Sequence, residues 1–256
     1  MAARAMRGIA GFLIAAAMQF AAPAIAKPAP SVSVYAVGPK DPAAITVQAR
    51  GDGVADDSAA IQAAIDAAGK PGGGIVFLPS GRHRITRTLY IWPGVRLFGV
   101  GKKRPVLLLA PATPGFQKGV GNMVFFTGNR PGTPGPGGGT VPVPPPTSVP
   151  FNPDIADANS GTFYSALANV DFEIGAGNPA ATAVRMHTAQ HSYLAHIDFH
   201  LGSALAGLYQ VGNLGMDLRF FGGRYGILAE KTSPAWQYTL LDSSFEGQRD
   251  ARDPRA

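Results

Sequence analysis

The chain has 256 residues, with 22 Lys and Arg against 16 Asp and Glu, and no cysteine. Without cysteine there are neither disulfides nor thiolate metal sites, so stability must come from burial and backbone hydrogen bonding. The formal charge of +6 is scattered rather than gathered into a basic stripe interleaved with aromatics, which argues against nucleic acid as a partner and suits an anionic glycan slightly.

The first element is at the N-terminus. Arg4 and Arg7 precede an apolar run from Ile9 to Ala22, broken only by Gln19. Ala24-Ile25-Ala26 then supplies a small-residue cleavage signal, followed by Lys27-Pro28. This pattern predicts a secretory signal peptide over 1–26, removed in export to the periplasm or the extracellular space. The apolar run is short for a bilayer span, and no later stretch is long or apolar enough to be one. Residues 27–44 are rich in Pro, Ala and Ser and are expected to be irregular.

A β-rich domain is predicted from 45 to 248. Abundant Gly and Pro with few charges is the composition of a turn-rich β protein. Ile45–Val47 reads as a short strand. Arg50–Ser58 reads as a turn, with Asp57 or Ser58 placed to cap the helix that follows. In that helix Ile61, Ala64, Ile65 and Ala68 share one face, and Gly72-Gly-Gly74 stops it. An apolar strand follows at Ile75–Leu78, then short strands at Arg84–Ile91, Val95–Phe98 and Val106–Leu109. Short strands with short turns can still lie parallel if the chain coils as a solenoid. The segment 128–153 holds Pro134-Gly-Pro-Gly-Gly-Gly139 and Pro144-Pro-Pro146, and is expected to be a surface loop inserted between coils.

The second half repeats. Leu167-Ala-Asn-Val-Asp-Phe-Glu173 returns as Leu194-Ala-His-Ile-Asp-Phe-His200, more loosely as Met216-Asp-Leu-Arg-Phe-Phe221, and again over Leu240 to Glu246. Between the copies lie Ala183–His187, Gly207–Val211 and Gly226–Glu230. Two strand families therefore alternate, with a period in the range of stacked supersecondary units. The predicted architecture is an all-β parallel β-helix, with Phe172, Phe199, Phe220 and Phe245 stacked inside. The tail from Arg249 to Ala256 has no apolar period and no evident cap, which predicts a C-terminally truncated solenoid.

Three segments carry a family resemblance: Gly51-Asp-Gly-Val-Ala-Asp-Asp-Ser-Ala-Ala-Ile-Gln-Ala-Ala-Ile-Asp66, Gly72-Gly-Gly-Ile-Val-Phe-Leu-Pro79 and Gly94-Val-Arg-Leu-Phe-Gly-Val-Gly101. Together they resemble the opening of the pectate lyase superfamily, and within it the rhamnogalacturonase/epimerase-like group related to glycoside hydrolase family 28. Looser likeness continues to about residue 248. The resemblance implies a right-handed parallel β-helix with the 58–68 helix plugging its N-terminal end, and action on, or binding to, extracellular polysaccharide. The chain departs from the polygalacturonase pattern. It has no Asn-Thr-Asp and no Gly-His-Gly, and its one Asp-Asp is Asp56-Asp57. Catalytic residues of that type cannot be carried over.

Side-chain direction selects the candidates. If Val170, Phe172 and Ile174 point inward, then Asp171, Glu173, Asp198, His200, Arg219 and Glu246 point outward on one sheet. Adjacent coils lie about 4.8 Å apart, which sets Asp171 beside Asp198 and Glu173 beside His200. Two carboxyl groups about 5 Å apart suit a retaining glycosidase, so Asp171, Glu173, Asp198 and His200 are the candidate catalytic groups. Arg185, Arg219 and Glu246 are the candidate substrate contacts. The competing reading is a polar ladder neutralised by Arg219. No histidine cluster of metal-site density is expected; Asp52, Asp56 and Asp57 are explained by capping and turns, and no cofactor is implied. A lyase would use an Arg or Lys base, for which Arg185, Arg219 and Arg224 are available. The function expected is a secreted glycoside hydrolase or polysaccharide lyase, or else a non-catalytic carbohydrate-binding β-helix.

Overall fold

The structure is a computed structural model that describes residues 32–134, 146–230 and 237–249. The predicted signal peptide, the Gly/Pro centre of the 128–153 insertion and the tail beyond 249 lie outside the described residues.

Three parallel sheets carry the described residues, the first two continuous with each other through two long strands that they share. The first holds β1 (Ile45–Thr46), β3 (Gly74–Pro79), β6 (Val95–Val100), β9 (Ala166–Ala168), the first halves of β12 (Tyr193–Gly202) and β14 (Asn213–Gly222), and β16 (Tyr238–Leu241). The second holds β2 (Asp52–Asp56), β4 (Arg82–Ile85), β7 (Val106–Leu109), β10 (Asp171–Ile174), the second halves of β12 and β14, and β17 (Ser244–Glu246). The third holds β5 (Leu89–Ile91), β8 (Gly121–Phe126), β11 (Ala181–Met186), β13 (Ala206–Val211) and β15 (Tyr225–Leu228). Each circuit visits the sheets in this order, as in β3–β4–β5 or β9–β10–β11, and sequential strands never pair with each other. This is a parallel β-helix. In the first circuit, α1 (Ser58–Gly69) follows β1 and β2 at the point where later circuits place a third-sheet strand. Its Ile61, Ala64, Ile65 and Ala68 are buried in the main core, as their spacing predicts.

Parallel stacking makes each register position a column of like side chains. The inner column of the second sheet runs Leu107, Phe172, Phe199, Phe220, Phe245. The four rings stack at centroid distances of 5.3, 4.7 and 4.8 Å, with planes within 13°; the first three are enclosed as expected, but Phe245, on the last described coil, is 47% exposed. Room for them comes from glycine opposite. A Cβ on Gly207 would meet the Phe220 ring at 2.6 Å. Phe199 lies mid-column and is fully buried. Phe199→Ala should therefore cost about 3–5 kcal/mol, read as a lowered urea midpoint with an unchanged slope.

Some local expectations change. The run Arg84–Ile91 is not one strand. Thr86 to Thr88 turn a corner, so β4 and β5 lie in different sheets. The turn expected over 50–58 contains strand β2, paired with β4. Asp57 occupies the N-cap position but makes no side-chain cap bond. Its carboxylate instead accepts from the Arg50 and Gly51 N–H groups and faces His83 Nδ1 at 3.0 Å. The segment 32–44 holds neither helix nor strand, yet it is not loose. Tyr35 lies 5.7 Å from the Phe98 ring, on an apolar patch outside the first sheet.

Candidate functional site

The outer face of the second sheet carries the predicted carboxylates in register. Asp171 lies beside Asp198, whose backbone N–H donates to Asp171 Oδ1 at 2.9 Å, and Glu173 pairs with His200. Both aspartates point away from the core, but neither is open to solvent; they are 5% and 3% exposed. Arg219 grips Asp198 side-on, with Nε to Oδ1 at 2.8 Å and Nη2 to Oδ2 at 2.7 Å. Arg104, itself buried, donates through Nη1 to Asp171 Oδ1 (3.3 Å) and Asp198 Oδ1 (3.2 Å). Its Nη2 reaches Asp217, and its Nε donates to the Val32 carbonyl. Burial first, and then the Asp171 charge, push the Asp198 carboxyl above its ordinary value, against the pull of Arg219 and Arg104. The pair expected to act on a glycosidic bond is thus built into a closed ion network.

The rest of that face is open. Glu173 forms a two-bond pair with Arg82 at 2.8 and 2.9 Å, and both side chains are well exposed. His200 is exposed and stacks on Phe221 at 5.0 Å, and Glu246 sits in register with Phe221 on the last coil.

A further row runs along the bend between the first two sheets. Asn169, His196, Asp217 and Asp242 occupy it, all with φ between 48° and 59°. Non-glycine residues enter this left-handed region rarely, Asn and Asp most readily. The Asn169 carboxamide is bound by Val34, Ser33 and Gly99, and His196 Nδ1 lies 2.8 Å from Asp217. The sequence carried a sign of this row, since the third position is polar in three of the repeat copies (Asn169, His196, Asp242) and Asp217 is the second residue of the looser copy.

The third sheet places Arg185 elsewhere. Its outer row runs Tyr90, Phe125, Arg185, Tyr209, Leu228. The Arg185 guanidinium lies 5.5 Å from the Phe125 ring and 5.2 Å from the Tyr209 ring. Asp157, from the chain that returns after the insertion, takes its Nε and Nη2 at 2.9 and 2.5 Å. His187 Nδ1 lies 3.4 Å from the same carboxylate, and the Tyr209 hydroxyl donates to Glu230 at 3.1 Å. Arg185 Nη1 is buried, with no hydrogen-bond partner among the described residues. Arg185 and the carboxylates of the second sheet thus belong to different faces. His191 lies at a turn, as expected, but His196 lies within β12 at its bend, and His187 lies off the sheet that bears His200.

Residues 45–251 match the family described as rhamnogalacturonase A/epimerase, pectate lyase-like. The chain belongs to this family. Over 68 residues it is 47% identical to mannuronan C5-epimerase AlgE4 of Azotobacter vinelandii, a match covering 24% of this chain and 12% of the epimerase. It is also 47% identical over 68 residues to alginate lyase 7 of the same organism, covering 24% of this chain and 8% of the lyase. The chain thus spans a small fraction of the curated relatives it matches. The solved AlgE4 A-module aligns with 78% of this chain and 48% of its own, at 20% identity and a TM-score of 0.39.

In this family member the third-sheet cluster has the makings of an anion site. The aromatic walls and Asp157 fix the guanidinium plane, and a fixed guanidinium is matched to a planar carboxylate. Burial alone would raise the Asp157 carboxyl, but bonds from His187 and Arg185 more than offset it and hold the group below its ordinary value. A carboxyl depressed in the folded state contributes stability that is present above the unfolded value near 3.9 and is lost as pH falls through the folded one. Asp157→Asn should therefore melt lower than wild type near neutral pH. The gap should close in acid, as differential scanning calorimetry across the acid range would show. Among the described residues no group of three or more His, Cys, Asp or Glu could hold a metal.

Proposed function

We propose that this is an exported protein acting on an extracellular polysaccharide that bears uronate groups, with Arg185 receiving the sugar carboxylate. The observation that carries the reading is the Arg185 site. A cation is locked between two aromatic rings, one edge is held by Asp157, and a buried Nη1 has no acceptor. Leaving such a donor unsatisfied costs about 1–3 kcal/mol, which a carboxylate oxygen would offset; Arg185 is 5% exposed, so the ligand would reach it by displacing the covering segment around Asp157. The names of the curated relatives support a polyuronate as ligand, because mannuronan and alginate are what those enzymes act on.

The chemistry that fits is proton abstraction next to the carboxylate, the step common to elimination and epimerisation. Arg185 would stabilise the negative charge that develops on the carboxylate. His187, oriented through Nδ1 by Asp157, would take the proton at Nε2. Glycoside hydrolysis fits less well. It needs one carboxylic acid and one carboxylate at the scissile bond, and Asp171 and Asp198 are engaged by Arg104 and Arg219.

A second reading keeps the contact on the second sheet. There Glu173 and His200 are register partners open to solvent, with Arg219 and Glu246 on the same face. His200→Ala and His187→Ala separate the two readings. Purified protein is incubated with polyuronates and with neutral glycans. The expected products from polyuronates are unsaturated uronates, absorbing in the ultraviolet, or inverted residues seen by proton NMR. His187→Ala should abolish them and His200→Ala should not. New reducing ends without unsaturation, or turnover of neutral glycans alone, would overturn the proposal.

A further inference from the structure

We infer that Tyr164 and His191, with Phe163 beside them, form a second sugar position on the same strip of surface as Arg185. The inference rests on the uronate reading and extends it by a separate subsite. The two rings lie 5.0 Å apart with planes 9° from parallel, and Phe163 lies 6.2 Å from Tyr164 at a tilt of 43°. All three are open to solvent; Tyr164 is 51% exposed. Burial therefore does not account for them.

The backbone makes the pair more telling. Tyr164 has φ 59° and His191 has φ 61°. Bulky side chains rarely adopt this conformation, and strain of this kind clusters where a ligand is held. Neither turn is frayed. Ala189 N–H donates to the Thr162 carbonyl at 2.8 Å, Ser165 N–H donates to Ser192 Oγ at 3.2 Å, and Arg96 Nε donates to the Tyr164 carbonyl at 3.1 Å. Two left-handed residues on neighbouring coils thus hold a face-to-face ring pair at the surface that a relaxed backbone would not.

The shelf continues the Arg185 site. Asp157 bonds to Arg185, Thr162 to Ala189, and Tyr164 stacks on His191, so segment 157–164 runs alongside 185–191. A polymer whose carboxylate sits on Arg185 and whose chain follows these segments would lay a later sugar against the outer face and edges of this ring pair. The apolar face of a pyranose suits a flat aromatic surface, and exposed aromatic patches of this kind mark binding sites.

Tyr164→Gly tests this, because glycine accepts the positive φ and removes the ring. Binding of short and long oligouronates is measured by calorimetry, and melting in parallel. The expected result is wild-type melting or better, unchanged affinity for the short oligomer, and about a three- to tenfold loss for the long one. A His191→Ala variant should show the same length dependence, and Tyr164→Phe should keep long-chain affinity. If Tyr164→Gly binds both lengths as wild type does, or melts lower with affinity intact, the ring pair is structural and the inference falls. If wild type binds neither oligomer, the uronate reading itself fails.

Discussion

Arg104→Met is expected to be among the most destabilising single changes in the protein. Arg104 is the one cation that bonds both Asp171 and Asp198 among the described residues, and it joins Asp217 and the Val32 carbonyl as well. Methionine fills much of the same volume but leaves two adjacent buried carboxylates with only part of their compensation. Removing one partner from a buried ionic cluster costs about 3–5 kcal/mol. The sign with pH follows from Asp198. Burial and Asp171 already raise its carboxyl, and losing Arg104 raises it further. A carboxyl raised in the folded state favours the native form when protonated, so its contribution is lost as pH rises through the folded value. The Arg104→Met deficit should accordingly shrink as pH falls toward the ordinary carboxylate range and grow as pH rises. Adding Asp171→Asn and Asp198→Asn to Arg104→Met should restore part of the loss at neutral pH. Urea titrations at two pH values measure both effects; a deficit independent of pH would mean that the network is held by something other than charge.

Arg185→Lys carries the largest expected effect on ligand binding. Lysine keeps the charge and can still meet Asp157, so the fold should survive. It lacks the planar guanidinium that fits between Phe125 and Tyr209, and it cannot present a second N–H edge once Asp157 is satisfied. Affinity for polyuronates should fall at least about tenfold, the scale of one lost charge-assisted hydrogen bond. Any weak binding of neutral glycans should stay as it is. Equal losses on both kinds of glycan, with melting unchanged, would remove the carboxylate from the account.

Much of the architecture was legible in the chain because a solenoid repeats its environment. The Leu-Ala-x-Val/Ile-Asp-Phe copies sit on equivalent arcs, so their Phe residues stack and Asp171 falls beside Asp198. The fate of that pair was harder to read. Arg104 lies in a loop outside the repeat, 67 residues before Asp171 and 94 before Asp198, and no periodicity points to it. Outward direction was therefore legible and accessibility was not. The same holds for Arg185, whose covering carboxylate Asp157 comes from the returning arm of the insertion. Corners are also invisible to periodicity. Arg84–Ile91 reads as one strand although its two halves belong to different sheets. The bend row of Asn169, His196, Asp217 and Asp242 was legible in principle, as a polar position recurring after an apolar residue.

The measurement that tests the account most directly is amide hydrogen exchange of the whole protein with and without a bound polyuronate. Binding at the Arg185 face predicts added protection in β11, in β13 and in the 155–164 segment that covers them, with β10 and the second half of β12 unchanged. Protection confined to β10, β12 and β14 on the second sheet, or no change anywhere at saturating ligand, would contradict it.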